Sequence, residues 1–161
     1  MSFSLKTIIN NINNARGKGR TIVLATGIFD LLHQEHLNFL KKAKAIGDLL
    51  LVGIESDFRV TQIKGPGRPA NPQMKRARNL AALPFVDHVF ILPKNFSTPK
   101  DHDHLIGLIK PHILAISSHS PHQQAKRAIL KKHGGTVKIV HHHNPRVSTT
   151  QIINAPTSHE A

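Results

Sequence analysis

The stretch TGIFDLLHQEH at 26–36 follows the apolar run TIVLA at 21–25 and sets His33 and His36 three residues apart where a helix-like pattern begins. Two imidazoles at that spacing lie on one face of a first helical turn, and each has ring N–H groups to donate. A helix starting near His36 also offers free backbone N–H groups and the positive end of its dipole, which together favour a phosphate. His33 and His36 can both face that phosphate. Asp30 either fixes the preceding turn by accepting backbone N–H bonds or borders the site. A lone histidine in a chain of thirteen reads as surface; a Gly-Phe-Asp turn after an apolar strand, followed by two spaced histidines, is a constellation.

Other residues with chemistry carry weaker signals. KGPGRPANP at 64–72 is a Pro/Gly-rich loop long enough to border a site. Lys41, Lys42 and Lys44 read as a solvated helix face, since one side of that helix alone can see the phosphate. In HHHN at 141–144, His141 and His143 share one face of an extended end, but no acidic or cysteine ligand is spaced with them. That tract is expected to be a solvated strand end, and no metal site is assigned to the chain.

Such residues need a frame. Apolar runs of strand length stand at 21–25, 49–54, 86–92, 112–116 and 137–140. Between them HLNFLKKAKAIG carries Leu37, Leu40 and Ala43 at helical spacing with Gly47 as a stop, and NPQMKRARNLAAL has Pro72 suited to a first turn. Further helices are expected at 101–109 and 121–133, with another in 1–20. Alternation of this kind predicts an α/β fold: a five-stranded parallel sheet with right-handed crossovers and helices on both faces, a Rossmann-like three-layer α/β/α arrangement. Ligands of such sheets bind beyond the carboxyl ends of the strands where strand order reverses, and residues 26–36 lie at that edge. One domain over 1–161, with its core in 20–153, is expected, and NAPTSHEA at the end is expected to fray.

Composition narrows the partners. There is no cysteine, so disulfides and thiolate metal sites are excluded. No apolar run reaches the roughly 18–20 residues needed to span a bilayer, and the first twenty residues lack a secretory apolar core, so a cytoplasmic location is expected. Twenty-two Lys+Arg against nine Asp+Glu give a formal charge of +13, which suits an acidic or phosphate-bearing partner. With no Trp, no Tyr and seven Phe, stacking platforms for single-stranded nucleic acid are scarce.

The stretch GIFDLLHQEHLNFLKKAKAIGDLLLVGIESD resembles the first half of the cytidylyltransferase-like nucleotidyltransferases, whose signature is G-x-F-D-x-x-H-x-G-H. IKGPGRPANPQMKRARNLAALPFVDHV is similar to segments of heptose-phosphate adenylyltransferase domains, and RVSTTQII to the family's C-terminal Ser-Thr-Thr motif. The likeness runs in order over roughly residues 20–153. It implies transfer of AMP or CMP from a nucleoside triphosphate, with Mg²⁺, to a phosphorylated sugar or polyol, releasing pyrophosphate. It also implies that the acceptor phosphate attacks the α-phosphorus in line, with no covalent enzyme intermediate. By resemblance, His33 and His36 donate to the triphosphate, Lys64 reaches its outer phosphates or the acceptor, and Arg76 adds a second clamp. The nucleotide would lie against Thr26, Gly27, Ile28, Phe29, Asp30, Ser118 and Val147, with Ser148, Thr149 and Thr150 offering hydroxyls and N–H groups; capping of a helix is the plainer role for those three. Monomer and homodimer both stay open.

The chain also departs from the family. Glu35 stands where the family has the glycine between its histidines, so its carboxylate must turn away, pair with a cation or weaken binding. Lys75 replaces a usual glutamate, and ISSHSPH at 116–122 lacks the carboxylate of a Gly-Asp segment. These departures favour a second reading, a non-catalytic nucleotide or phospho-ligand binding protein on the same fold. Charge alone favours a third, a basic nucleic-acid-binding module, which a steep loss of affinity with salt would reveal.

Overall fold

The computed structural model describes residues 2–142. Its elements run α1 (Leu5–Gly17), β1 (Ile22–Gly27), α2 (Gln34–Ala45), β2 (Leu49–Ile54), α3 (Asp57–Lys64), α4 (Gln73–Ala81), β3 (His88–Ile91), α5 (Pro99–Ile109), β4 (Ile113–Ser117), α6 (Gln123–Lys132) and β5 (Thr136–His141). The strands form one parallel sheet in the order β3-β2-β1-β4-β5. Connections therefore spread outward from β1 in both directions, and the order reverses between β1 and β4. That reversal leaves a crevice at the carboxyl end of β1.

The period-2 alternation of strand side chains decides which helices cover which face. Leu24 of β1 and Leu51 of β2 pack with Ile12 of α1, Ile109 of α5 and Leu130 of α6. Their neighbours Val23, Ala25, Leu50 and Val52 point the other way, onto Leu40 and Ala43 of α2 and Ala77 and Leu80 of α4. Both faces are covered, which is why β2 is buried along its whole length. This is the three-layer, Rossmann-like α/β/α architecture that the alternation predicts.

Boundaries differ where polar side chains act. β3 begins only at His88, because Val86 and Asp87 lie in the turn before it. There the Asp87 carboxylate accepts from Leu50 N–H at 2.7 Å and from Lys44 Nζ at 2.7 Å. α3 has no counterpart among the expected elements. It has one buried side chain, Val60, and so lacks an apolar stripe. Its signal is capping: Ser56 Oγ accepts from Arg59 N–H at 3.1 Å, and Gly65 ends the helix at φ 93°. Lys64 accordingly closes a helix rather than opening a loop. Among the described residues no helix is long and apolar enough to cross a membrane.

Candidate active site

β1 delivers the chain to the crevice through a tight turn. A Cβ on Gly27 would sit 2.8 Å from Cε2 of Phe29, so the position takes only glycine without displacing that ring. Phe29 adopts the left-handed region at φ 50°, a strain of about 1–3 kcal/mol that such residues sustain only when their surroundings hold them. What holds it is the burial of its ring and an edge-on contact with His36, centroids 5.4 Å apart at 65°.

His33 is the N-cap residue of α2, with φ −131° and ψ 177°, rather than a residue within the helix. Its side chain makes no cap hydrogen bond, so His33 does not occupy the N-terminal end of α2, which borders the crevice as an anion seat. The imidazole stacks on that of His36, centroids 3.8 Å apart and 20° between planes. Nδ1 of each ring is buried and has no hydrogen-bond partner among the described residues. Burial, then the neighbouring His33, push the His36 pKa down to about 4, with the Leu31 backbone and Glu35 opposing. Burial also lowers His33, against the pull of Glu35. Two neutral rings stack without mutual repulsion, and the His36 ring also bonds the Leu31 backbone.

A cleft of about 870 Å³ opens over these residues. On one side it is lined by Thr26, Gly27, Ile28, Phe29, His33 and His36, then by Glu55, Arg59, Lys64 and Arg68. On the other it is lined by His102, Ser117, His119, Ser120, His122 and Lys126. Lys126, whose pKa is lowered by burial, donates to Ser120 Oγ at 2.8 Å. Arg59, Lys64, Arg68 and Lys126 outnumber the cleft's carboxylates, Glu35 and Glu55, so the enclosed field is positive.

Seven of the residues expected at the site line this cleft: Thr26, Gly27, Ile28, Phe29, His33, His36 and Lys64. Three do not. Asp30 is buried, and its two oxygens accept from Ala70 N–H at 2.7 Å and Asn71 N–H at 2.8 Å. It therefore ties down the 64–72 loop forty residues on rather than its own turn. Arg76 is fully buried and corrects the expectation of a phosphate clamp. Its guanidinium donates to the carbonyls of Asn71, Ile28 and Glu55, each at 2.9 Å, and to Asp57 at 2.8 Å. Ser118 hydrogen-bonds through its backbone to His141 O and to the Gln123 side chain, while its neighbours Ser117 and His119 face the cleft. Val147, Ser148, Thr149 and Thr150 lie outside the described residues, as does His143.

Residues that sequence reasoning passed over complete the site. Glu55 directly follows β2, Arg59 and Arg68 come from α3 and the following loop, and His102 and Lys126 come from α5 and α6. His141 is not a solvated strand end. It is buried at the end of β5, where Nε2 meets the Glu35 carboxylate and Nδ1 lies 3.1 Å from Lys42 Nζ. Lys42 stays exposed, as expected of a solvated helix face, while its ammonium reaches this ring. A buried pair joining residues so distant in sequence leaves no local pattern to read.

A nucleotidyltransferase-type α/β domain is what this sheet and its crevice define, and comparison with known proteins agrees. The pattern of the cytidylyltransferase-like family matches residues 24–155. The chain belongs to the cytidylyltransferase-like family of nucleotidyltransferases. It is 39% identical over 143 residues to the bifunctional protein HldE of Pelobacter propionicus, covering 88% of this chain and 28% of that one. Against HldE of Pseudomonas entomophila the identity is 39% over 138 residues, 85% of this chain and 28% of the relative. The chain thus spans little more than a quarter of the length of these relatives. Among solved structures, the lipopolysaccharide core biosynthesis protein of Thermoplasma volcanium is 29% identical with a TM-score of 0.61, over 76% of this chain and 96% of that chain. Pantoate-beta-alanine ligase from Francisella tularensis shares the fold at 17% identity and a TM-score of 0.57, over 90% of this chain and 73% of that one.

Proposed function

We propose that the domain transfers a nucleotidyl group, AMP in preference to CMP, from a nucleoside triphosphate to a phosphorylated sugar or polyol and releases pyrophosphate. The observation that carries this is the stacked, neutral His33–His36 pair at the uncapped start of α2, facing a positively lined cleft at the switch point of the sheet. A phosphoryl group seated there receives the helix N–H groups and two imidazole donors, which stabilise charge as it grows on the pentacoordinate phosphorus and the departing pyrophosphate. Lys64 and Arg68, at the end of α3 and just after it, are suited to the outer phosphates or the acceptor. The Ser-Thr-Thr segment at 148–150 is assigned to the triphosphate by its family likeness. The adenylyl preference follows from the resemblance of residues 64–87 to adenylyltransferase segments.

Among the described residues no group of three or more His, Asp or Glu side chains is arranged to hold a metal ion. By the family resemblance an Mg²⁺ ion would arrive on the triphosphate and would offset the phosphate charge there. The pairing of Glu35 with His141 supports a working enzyme over a non-catalytic relative, because the carboxylate between the two histidines is already occupied. A pyrophosphate-release screen of ATP and CTP against sugar and polyol phosphates tests the reading. Release that needs both substrates supports it; tight nucleotide binding with no release from any acceptor favours the non-catalytic relative.

A further inference from the structure

We propose that Glu55 selects the acceptor by its hydroxyl groups: the unpaired Oε2 of Glu55 accepts a hydrogen bond from a sugar or polyol hydroxyl of the phosphorylated acceptor bound in the cleft. This rests on the transferase reading above and adds to it the residue that separates a polyhydroxylated phosphate from a plain alkyl phosphate.

Glu55 follows directly on β2, and its backbone is fixed from both sides. Its N–H donates to Gly27 O at 3.0 Å, and its carbonyl accepts from the Arg76 guanidinium at 2.9 Å. Glu55 lines the cleft, and its Oε2, buried in the wall, has no hydrogen-bond partner among the described residues. Burial pushes its pKa up, with Arg59 and Arg76 opposing. Neither guanidinium closes on it. Arg59 donates through Nε to Phe96 O at 3.1 Å, and Arg76 donates to three carbonyls and Asp57.

A buried carboxylate oxygen without a donor carries a desolvation penalty that a bound ligand can relieve. A phosphate would not relieve it, since like charges repel; an ionised carboxylate is purely an acceptor and calls for O–H or N–H donors. Arg59, Lys64 and Arg68 line the same side of the cleft. A carboxylate set beside cations matches a ligand with hydroxyls in one part and a phosphate in another. A site built to bond a hydroxyl rejects the analogue that lacks it, because the buried polar group is then left unpaired.

The test compares binding to the full chain of glucose 1-phosphate, mannose 1-phosphate and glycerol 3-phosphate with binding of ethyl phosphate, in the presence of a non-hydrolysable ATP analogue and Mg²⁺. The wild type is expected to prefer at least one hydroxylated phosphate by about 10-fold or more. In Glu55→Ala that ratio should fall toward one, with ethyl phosphate affinity unchanged; Glu55→Gln, whose amide oxygen still accepts, should keep part of it. Glu55→Gln alone, by an intermediate ratio, carries the test if Glu55→Ala does not fold. An absent preference in the wild type, or a ratio unmoved by both substitutions, overturns the proposal. So does loss of a preference for ATP over 2′,3′-dideoxyATP in the variants, which would move Glu55 to the nucleotide. Failure of the transferase reading would appear separately, as no pyrophosphate release from any acceptor, while the binding ratio still decides the role of Glu55.

Discussion

The carboxylate of Glu35, in the first turn of α2, is hydrogen-bonded to Nε2 of His141, 106 residues later at the end of β5. Lys42 Nζ lies 3.1 Å from the other ring nitrogen. An ammonium has only donors, so Nδ1 of His141 accepts from Lys42 and the ring proton resides on Nε2, where it donates to Glu35. The negative charge that replaces the family glycine is thereby countered through one imidazole by a lysine of the same helix.

Removing the imidazole should expose the carboxylate to the nucleotide. His141→Ala is expected to weaken ATP binding by about 5- to 30-fold, and adding Glu35→Gln should restore most of it. Glu35→Gly alone should change affinity by less than about 3-fold, since the charge it removes is already offset. Calorimetric titration of the single and double variants measures the coupling; equal affinities for His141→Ala and the double variant would place the carboxylate out of reach of the triphosphate.

Because His33 and His36 line the cleft as a stacked pair, either one replaced by alanine should lower kcat/KM by roughly 10² to 10³. Steady-state rates of pyrophosphate release give the number, and thermal melts show whether the fold is intact. Undiminished rates would remove the pair from the chemistry.

The depressed pKa of His36 sets a pH dependence of stability. Unfolded, the ring titrates near 6.5; folded, it titrates at about 4, so between those values the unfolded chain binds the extra proton. The associated stability is complete above pH 6.5 and is lost as pH falls toward 4. His33, His88 and His102 are lowered as well and act in the same direction, while Glu55, raised by burial, opposes them. The Tm of the ligand-free protein should fall between pH 7 and 4.5, and His36→Gln should flatten that fall. An unaltered slope in the variant would mean that His36 is not held neutral by the fold.

Arg76 is a strut under the site rather than a ligand. Arg76→Ala would leave the carbonyls of Ile28, Glu55 and Asn71 without this donor and should cost about 3–5 kcal/mol, read as a lower midpoint in urea unfolding. Arg76→Lys should recover little, because a single ammonium cannot span the same fork. A lysine variant as stable as the parent would show that the bridging geometry contributes little.

The amino-acid sequence by itself determined the sheet and its carboxyl-edge site. Runs such as LLLVGI at 49–54 are apolar on both faces, and a strand buried on both faces must be covered by helices on both, which also forces the parallel order. The turn at 27–30 and the spacing of His33 and His36 were likewise readable, because neighbours in sequence are neighbours in a turn or a helix. α3 was not, since a helix with one buried side chain has no periodicity to show. Nor could local pattern tell that Arg76 would point into the core, that Asp30 would hold the 64–72 loop, or that His141 would cap Glu35. Each of those roles includes a bond between groups 40 or more residues apart, so that partner exists only once the sheet has brought the strand ends together. Formal charge and residue type set what each side chain is able to do; tertiary packing chose which donor met which acceptor, because a buried polar group must be satisfied by whatever the fold places beside it.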